Sequence, residues 1–239
     1  MEIDIWSDIA CPWCFIGKRR FEAALADFPH RDAVTVTWHS FQLDPTLPEH
    51  YDGTELDYLA TRKGLAPEQV RQMFDHVREV AAPEGLDYDF DTLVVANSFA
   101  GHELLHLATA NGVGAIVKEA LLSAHFEHGE DIGAREVLLR IGTEAGLDAD
   151  TISTALDEGT YRDAVRADID EAHRLGIRGV PFFVIDRKYG ISGAQPTELF
   201  GEALDQAWRE SHPLVMLQPT PGTAPAEADL ACGPDGCAI

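Results

Sequence analysis

Cys11-Pro12-Trp13-Cys14 stands directly after a short alternating run, Ile3 to Ser7, and directly before a helix-forming run that ends near Phe28. A chain that delivers two cysteines from a strand onto the start of a helix has few architectures open to it. The first backbone N–H groups of a helix lack intrahelical partners and the macrodipole there is positive, so a sulfur at that point is favoured as its thiolate. The thiolate is the attacking species in thiol–disulfide exchange, and two intervening residues let the second sulfur turn back on the first. On this geometry Cys11, nearer the helix start and the more exposed, is expected to attack, and Cys14, one turn in, to resolve the mixed disulfide. A C-x-x-C is also half of a tetrahedral zinc site, which Cys232 and Cys237 could complete. Zinc ribbons gather both pairs in one small unit, whereas these pairs stand at opposite ends of the chain, so the spacing favours redox chemistry and no metal.

The 239 residues, 45% of them hydrophobic, suffice for one large domain or a domain carrying an insertion. Four cysteines in two tight pairs are too few for a stapled scaffold. Lys plus Arg number 18 against 41 Asp plus Glu, a formal charge of -23, which opposes nucleic acid and anionic membranes as partners. Met1-Glu2-Ile3-Asp4 lacks a basic region followed by an apolar run, and no stretch approaches membrane-spanning length. A soluble cytoplasmic protein is the expectation. Lys18, Arg19 and Arg20 lie within two turns of Cys11 and read either as helpers of a thiolate or as a solvated helix face.

Ile3 and Ile5 alternate with Asp4 and Trp6, the following helix carries Phe21, Leu25 and Phe28 on one face, and Val34, Val36 and Trp38 alternate with Thr35 and Thr37. Strand, helix, strand with a right-handed crossover makes the two strands parallel. From about Asp52 to Gly176 the texture is helical, six or seven helices ending at Gly64, Gly112, Gly146, Gly159 and Gly176, with starts at Pro67 and Asp148. Strand character returns at Pro181 to Ile185 and Tyr189 to Ser192, and a last amphipathic helix runs from about Thr197 to Trp208. Beyond it Pro213, Pro219, Pro221 and Pro225 mark an extended tail. The predicted division is a core of residues 1–51 and 176–212, a helical insertion over 52–175 and a tail over 213–239.

This order, with Gly179-Val180-Pro181 entering a strand, resembles the thioredoxin-like fold with the large helical insertion of DsbA-type disulfide oxidoreductases, an α/β class. Finer matches resemble the FrnE-like branch: Trp38 to Leu43 with Pro45, Asn97-Ser98-Phe99, His102 through Ala108, Gly179 to Asp186, and Ile191 to Gln195. The resemblance covers the chain to about Trp208. It implies a cis Val180–Pro181 bond lying against Cys11 and Cys14, where Val180 and Pro181 receive an extended substrate segment. Pro12 and Trp13 set the redox poise, and Trp13, which does not titrate, argues against the strongly oxidising extreme. The substrates implied are protein or small-molecule thiols and disulfides. No tightly bound cofactor is implied; glutathione, another thiol reductant or a recycling reductase is the co-substrate, and the insertion offers a face for a homodimer.

Cys232-Gly233-Pro234-Asp235-Gly236-Cys237 is a second redox candidate, since Pro-Asp-Gly is a turn former that brings the sulfurs together, and a tail could carry them to Cys11 and Cys14. Two other classes compete. Kappa-class glutathione transferases and 2-hydroxychromene-2-carboxylate isomerases resemble this architecture but have Ser where Cys11 stands; His39 or Asn97 would serve such a small-molecule site. His102-Glu103-Leu104-Leu105-His106 reads H-E-x-x-H, the zinc metalloprotease spacing, although the FrnE-like branch usually has Arg at the Glu103 position.

Overall fold

The computed structural model describes residues 1–48 and 51–213. The pair Cys232 and Cys237 lies outside the described residues. β1 (Glu2–Ser7) buries Ile3 and Ile5 and leads through a tight turn into α1 (Pro12–Asp27), with Cys11 at the N-cap and Pro12 at the first helical position, where its missing N–H costs nothing. β2 (Thr35–Ser40) returns parallel to β1, with Ile3 opposite Val36 and Ile5 opposite Trp38.

Seven α-helices among the described residues separate β2 from the next strand: α2 (Glu55–Lys63), α3 (Pro67–Ala81), α4 (Phe99–Ala110), α5 (Gly114–Phe126), α6 (Arg135–Glu144), α7 (Ala149–Glu158) and α8 (Arg162–Arg174). Gly64, Gly112, Gly146, Gly159 and Gly176, where helical runs stop, all have φ between 63° and 97°, a region that side chains with a Cβ avoid. Asp148 caps α7 by accepting from the Thr151 N–H at 2.9 Å. The helical reading fails over residues 86–98, which form an irregular extended segment with a single bridge, Val94 to Thr54. The reason is visible in Leu86, Tyr88 and Phe90: they alternate with Asp87 and Asp89 and are all buried, a period of two rather than 3.6.

β3 (Phe182–Ile185) runs antiparallel to β1 and pairs with β4 (Tyr189–Ser192), giving the sheet order β2-β1-β3-β4. α9 (Thr197–Ser211) packs beside α1, where Phe21, Phe183 and Phe200 meet with ring centroids 4.6 to 5.8 Å apart. Each such aromatic pair adds about 1 kcal/mol to the area buried, enough to fix how α1 sits on the sheet. A second core lies under α4 to α7 around Leu104, Leu121, Ile141 and Ile152. A third joins Phe15 and Ile16 of α1 to α3 and the 86–98 segment, with Phe74 stacked on Phe90 at 4.5 Å. The insertion is therefore packed onto the first turns of α1, next to the cysteines. Among the described residues no helix is long and apolar enough to cross a membrane.

Candidate active site

Two contacts hold the turn that presents the cysteines. The Cys14 N–H donates to the Cys11 carbonyl at 3.0 Å, and the Cys11 N–H donates to the Asp8 carbonyl at 3.4 Å. Both cysteines are free thiols. Cys11 is 3% exposed and Cys14 0%, so Cys11 is the more exposed of the two, by a narrow margin, and both lie within the fold. The Cys11 Sγ–H donates to the Val180 carbonyl oxygen at 3.6 Å, and the Val180–Pro181 peptide is cis. Pro12 is pinned from the insertion, its carbonyl accepting from the Tyr88 hydroxyl at 2.7 Å. Trp13, half-buried, has its ring 6.0 Å from that of His76 on α3.

The basic run after the cysteines fits neither reading offered for it. Lys18 is 4% exposed and binds Glu22 at 2.8 Å and Glu119 of α5 at 2.6 Å. Arg19 shares Glu119. Arg20 pairs with Glu84 and donates to the Ala194 carbonyl at 2.8 Å. All three charges are spent bolting α1 to its neighbours.

A carboxylate stands near the sulfurs instead. Asp8 is 2% exposed, and burial pushes its carboxyl up. The hydrogen bond and charge of His102, the Leu43 N–H at 2.7 Å and Ser98 outweigh burial, leaving it below the usual carboxylate range. Burial holds the His102 imidazole below its ordinary value, so near neutrality its Nε2–H is the donor to Asp8, at 3.4 Å. The Cys11 thiol is pushed well up, first by the adjoining Cys14 sulfur, then by burial and by the Cys14 and Asp8 charges; the Cys14 N–H acts the other way. One cation lies in the same interior: Lys118 of α5, 1% exposed, with no hydrogen-bond partner among the described residues and its Nζ 5.3 Å from the Trp38 ring. Burial brings Lys118 down to about 8, opposed by the charges of Cys14, Asp8 and Cys11.

Beside Cys11, Pro12 and Trp13 a cavity of about 440 Å³ opens between the C-P-W-C turn, α2, α3 and the 86–98 segment. Its walls are mainly apolar, and Asp8, Glu55 and His125 also line it. Burial pushes the Glu55 carboxyl up to about 7 and the His125 imidazole down to about 4.

The H-E-x-x-H spacing does not gather its two imidazoles on one ligand. His102 faces Asp8, whereas His106 faces Asp168 of α8 at 3.1 Å. His39 bridges Asp4 and Asp168, 2.9 Å from each, and Asn97 is bonded to Gln42, Leu47 and Phe99. Neither His39 nor Asn97 lines the cavity beside Cys11. Asp8, Glu55, Tyr88 and Lys118 were not singled out from the sequence. Asp8 could have been, as a charge in the apolar approach to the cysteines; Glu55 and Lys118 read as ordinary helix residues until tertiary packing buries them.

The chain is 44% identical to the probable DsbA oxidoreductase SCO1869 from Streptomyces coelicolor, whose crystal structure superposes with a TM-score of 0.85 over 100% of this chain and 99% of that one. It is 27% identical over 207 residues to the uncharacterized protein YwbO of Bacillus subtilis, covering 85% of this chain and 96% of that one. The cytosolic disulfide reductase DsbM of Pseudomonas aeruginosa, solved with GSH, shares the fold at 21% identity and a TM-score of 0.62, covering 87% of this chain and 100% of that one. The model of the DSBA-like thioredoxin domain matches residues 2–205. On that match the chain belongs to the DSBA-like thioredoxin domain family and is a thiol–disulfide oxidoreductase.

Proposed function

We propose that this oxidoreductase works in the reducing direction. Cys11 loses its proton and attacks a substrate disulfide, the substrate S–S bond breaks, and one thiol leaves after taking up a proton. Cys14 then attacks Cys11 in the mixed disulfide, releasing the second thiol and closing a Cys11–Cys14 disulfide. The substrate gains two electrons and two protons, which the dithiol loses. Pro181 and the Val180 carbonyl line up the substrate segment, and Pro12 and Trp13 shape the turn. Glutathione or another thiol reductant resets the pair, in keeping with the P. aeruginosa protein of the same fold, a disulfide reductase solved with GSH. A reducing compartment such as the cytoplasm suits this direction. Rearrangement of wrong disulfides uses the same first step and belongs to the same reading.

One observation carries it. Cys11 faces the Val180 carbonyl with the Asp8 carboxylate nearby, while Lys18, Arg19 and Arg20 are engaged elsewhere. DsbA is a strong oxidant because its reduced form is stabilised. Here the thiolate of the reduced form is disfavoured, which supports a poise nearer that of thioredoxin, about -270 mV, than that of DsbA, about -120 mV. Equilibration with glutathione buffers tests this: a potential at the DsbA end rejects the reducing direction. Cys11→Ser is expected to abolish insulin disulfide reduction, and unchanged reduction rejects Cys11 as nucleophile. Cys232 and Cys237 are proposed as an accessory pair that exchanges with Cys11 and Cys14; a chain ending at Leu217 should recycle more slowly, and equal turnover assigns them no part.

A further inference from the structure

The cavity beside Cys11 has a chemical character that a general disulfide reductase does not require. At about 440 Å³ it falls within the volumes typical of small-molecule sites. Trp13, Phe74, Phe90 and Phe126 are on its walls, rigid surfaces suited to a flat or branched apolar body. Cys11 lines the cavity together with Pro12 and Trp13, so a disulfide held there lies beside the reactive residue.

The carboxylates around it differ in one respect. Asp44 is closed off, accepting from Tyr58 at 2.6 Å, from Thr46 and from Arg62. Asp8 is closed off by the Leu43 and Ala10 N–H groups and by His102. Glu55 lines the cavity with no hydrogen bond or ion pair to any described residue, and burial is the single cause of its raised pKa. Of the cations at the cavity, Arg62 is neutralised by Asp44 and Lys63 is exposed at the outer end of α2. His125 stays neutral near pH 7, being held down at about 4. Glu55 is half-buried, and a carboxyl partly removed from water without a partner is an unfavourable arrangement that an incoming positive charge converts into a favourable one. The chain's formal charge of -23 also draws cations toward it.

We infer that this cavity binds a low-molecular-weight disulfide with an apolar, ring-sized body and a positively charged amino group, the body against the aromatic wall, the amino group at Glu55 and the disulfide toward Cys11. The inference rests on the reading of Cys11 as the attacking thiol and names the substrate class of that site. The chemistry is the exchange already described: the ligand disulfide accepts two electrons and two protons from the dithiol and leaves as two thiols.

The test uses the full chain with Cys11 and Cys14 reduced, mixed with four disulfides and quenched by alkylation so that the Cys11 and Cys14 peptides are counted by mass. The probes are N,N′-dibenzylcystamine, cystamine, 3,3′-dithiodipropionate and neutral bis(2-hydroxyethyl) disulfide, each calibrated against free dithiothreitol. N,N′-dibenzylcystamine is expected to saturate and to react at least about tenfold faster than the neutral probe after calibration, the worth of one charged hydrogen bond in a desolvated site. Glu55→Gln is expected to collapse that ratio, and Leu59→Trp, which narrows the cavity, to remove the saturation. Equal calibrated rates for all four, or a preference for 3,3′-dithiodipropionate, overturn the inference while leaving the reducing site intact. If none of the four oxidises Cys11, the underlying reading falls with it.

Discussion

Gly17 stands so close to Pro181 that a Cβ on it would lie 2.8 Å from the proline ring. The glycine sits one turn beyond Cys14, so the helix carrying the cysteines and the segment carrying Val180 approach each other backbone to ring. Gly17→Ala sets two effects against each other. Ala gains up to about 1 kcal/mol of helix propensity over Gly, whereas overpacking against a rigid ring costs about 1 to 3 kcal/mol. The clash should win: a lower melting temperature, and a fall in kcat/KM for insulin reduction as Val180 moves off Cys11. An alanine variant with unchanged kcat/KM would show that this spacing does not matter to the chemistry.

Asp8→Asn removes the carboxylate near Cys11 while keeping an oxygen for the Leu43 N–H. The Asp8 charge is one of the causes that push the Cys11 thiol up. The titration of Cys11, followed by thiolate absorbance in the ultraviolet, should move to lower pH, and the glutathione equilibrium should move toward the dithiol. A titration that stays in place would assign the raised value to Cys14 and burial alone.

Lys118→Met should uncouple stability from activity. With its folded pKa lowered to about 8 by burial, the ammonium destabilises the fold at neutral pH, and this cost fades as pH rises from about 8 toward the unfolded value. Replacing it with an apolar chain of similar length should raise stability by on the order of 1 to 3 kcal/mol at neutral pH. The Lys118 charge also acts on Cys14. Resolution of a trapped Cys11 mixed disulfide should therefore slow in the same variant, and equal rates would confine Lys118 to packing.

His39 gives the pH dependence. Burial lowers its pKa, but hydrogen bonds and charge from Asp168 and Asp4 outweigh that and leave it raised. Its contribution to stability is fully present below the unfolded value of about 6.5 and is lost as pH climbs through the raised folded value. Asp168 is held well below the carboxylate range: burial raises it, but His106, His39 and the Ser40 N–H more than compensate. Its contribution is present above about 4 and lost in acid. In urea melts the gap between wild type and His39→Gln should be widest near pH 5 to 6 and narrow in mild alkali. A gap independent of pH would mean the imidazole acts here by shape.

The fold was legible where local pattern and tertiary demand agree. Ile3, Ile5 and Val36 alternate because one face of the sheet is buried, and Gly64 or Gly159 stops a helix because only glycine takes that φ at ease. The cysteine turn was legible for the same reason, a sulfur pair at a helix start. The environment of the sulfurs was not. Thr54 and Asp57 close a capping box at the start of α2, and nothing in that local pattern marks Glu55, which shares the cavity beside Cys11 with Phe90, Val95 and Ala96 of the 86–98 segment. Lys18, Arg19 and Arg20 were misassigned because their partners, Glu119 and Glu84, are distant in sequence and near only in the fold.

Ile3 of β1 pairs with Ile185 of β3, and the whole helical insertion is encoded between them. A ribosome releasing this chain therefore delivers the two reactive thiols well before the Val180–Pro181 segment that faces them. Local helices can form during synthesis, but the central strand pairing waits for the far side of the molecule. Until β3 emerges the nascent protein carries a bare dithiol, able to meet oxidants before it has a pocket to choose between them.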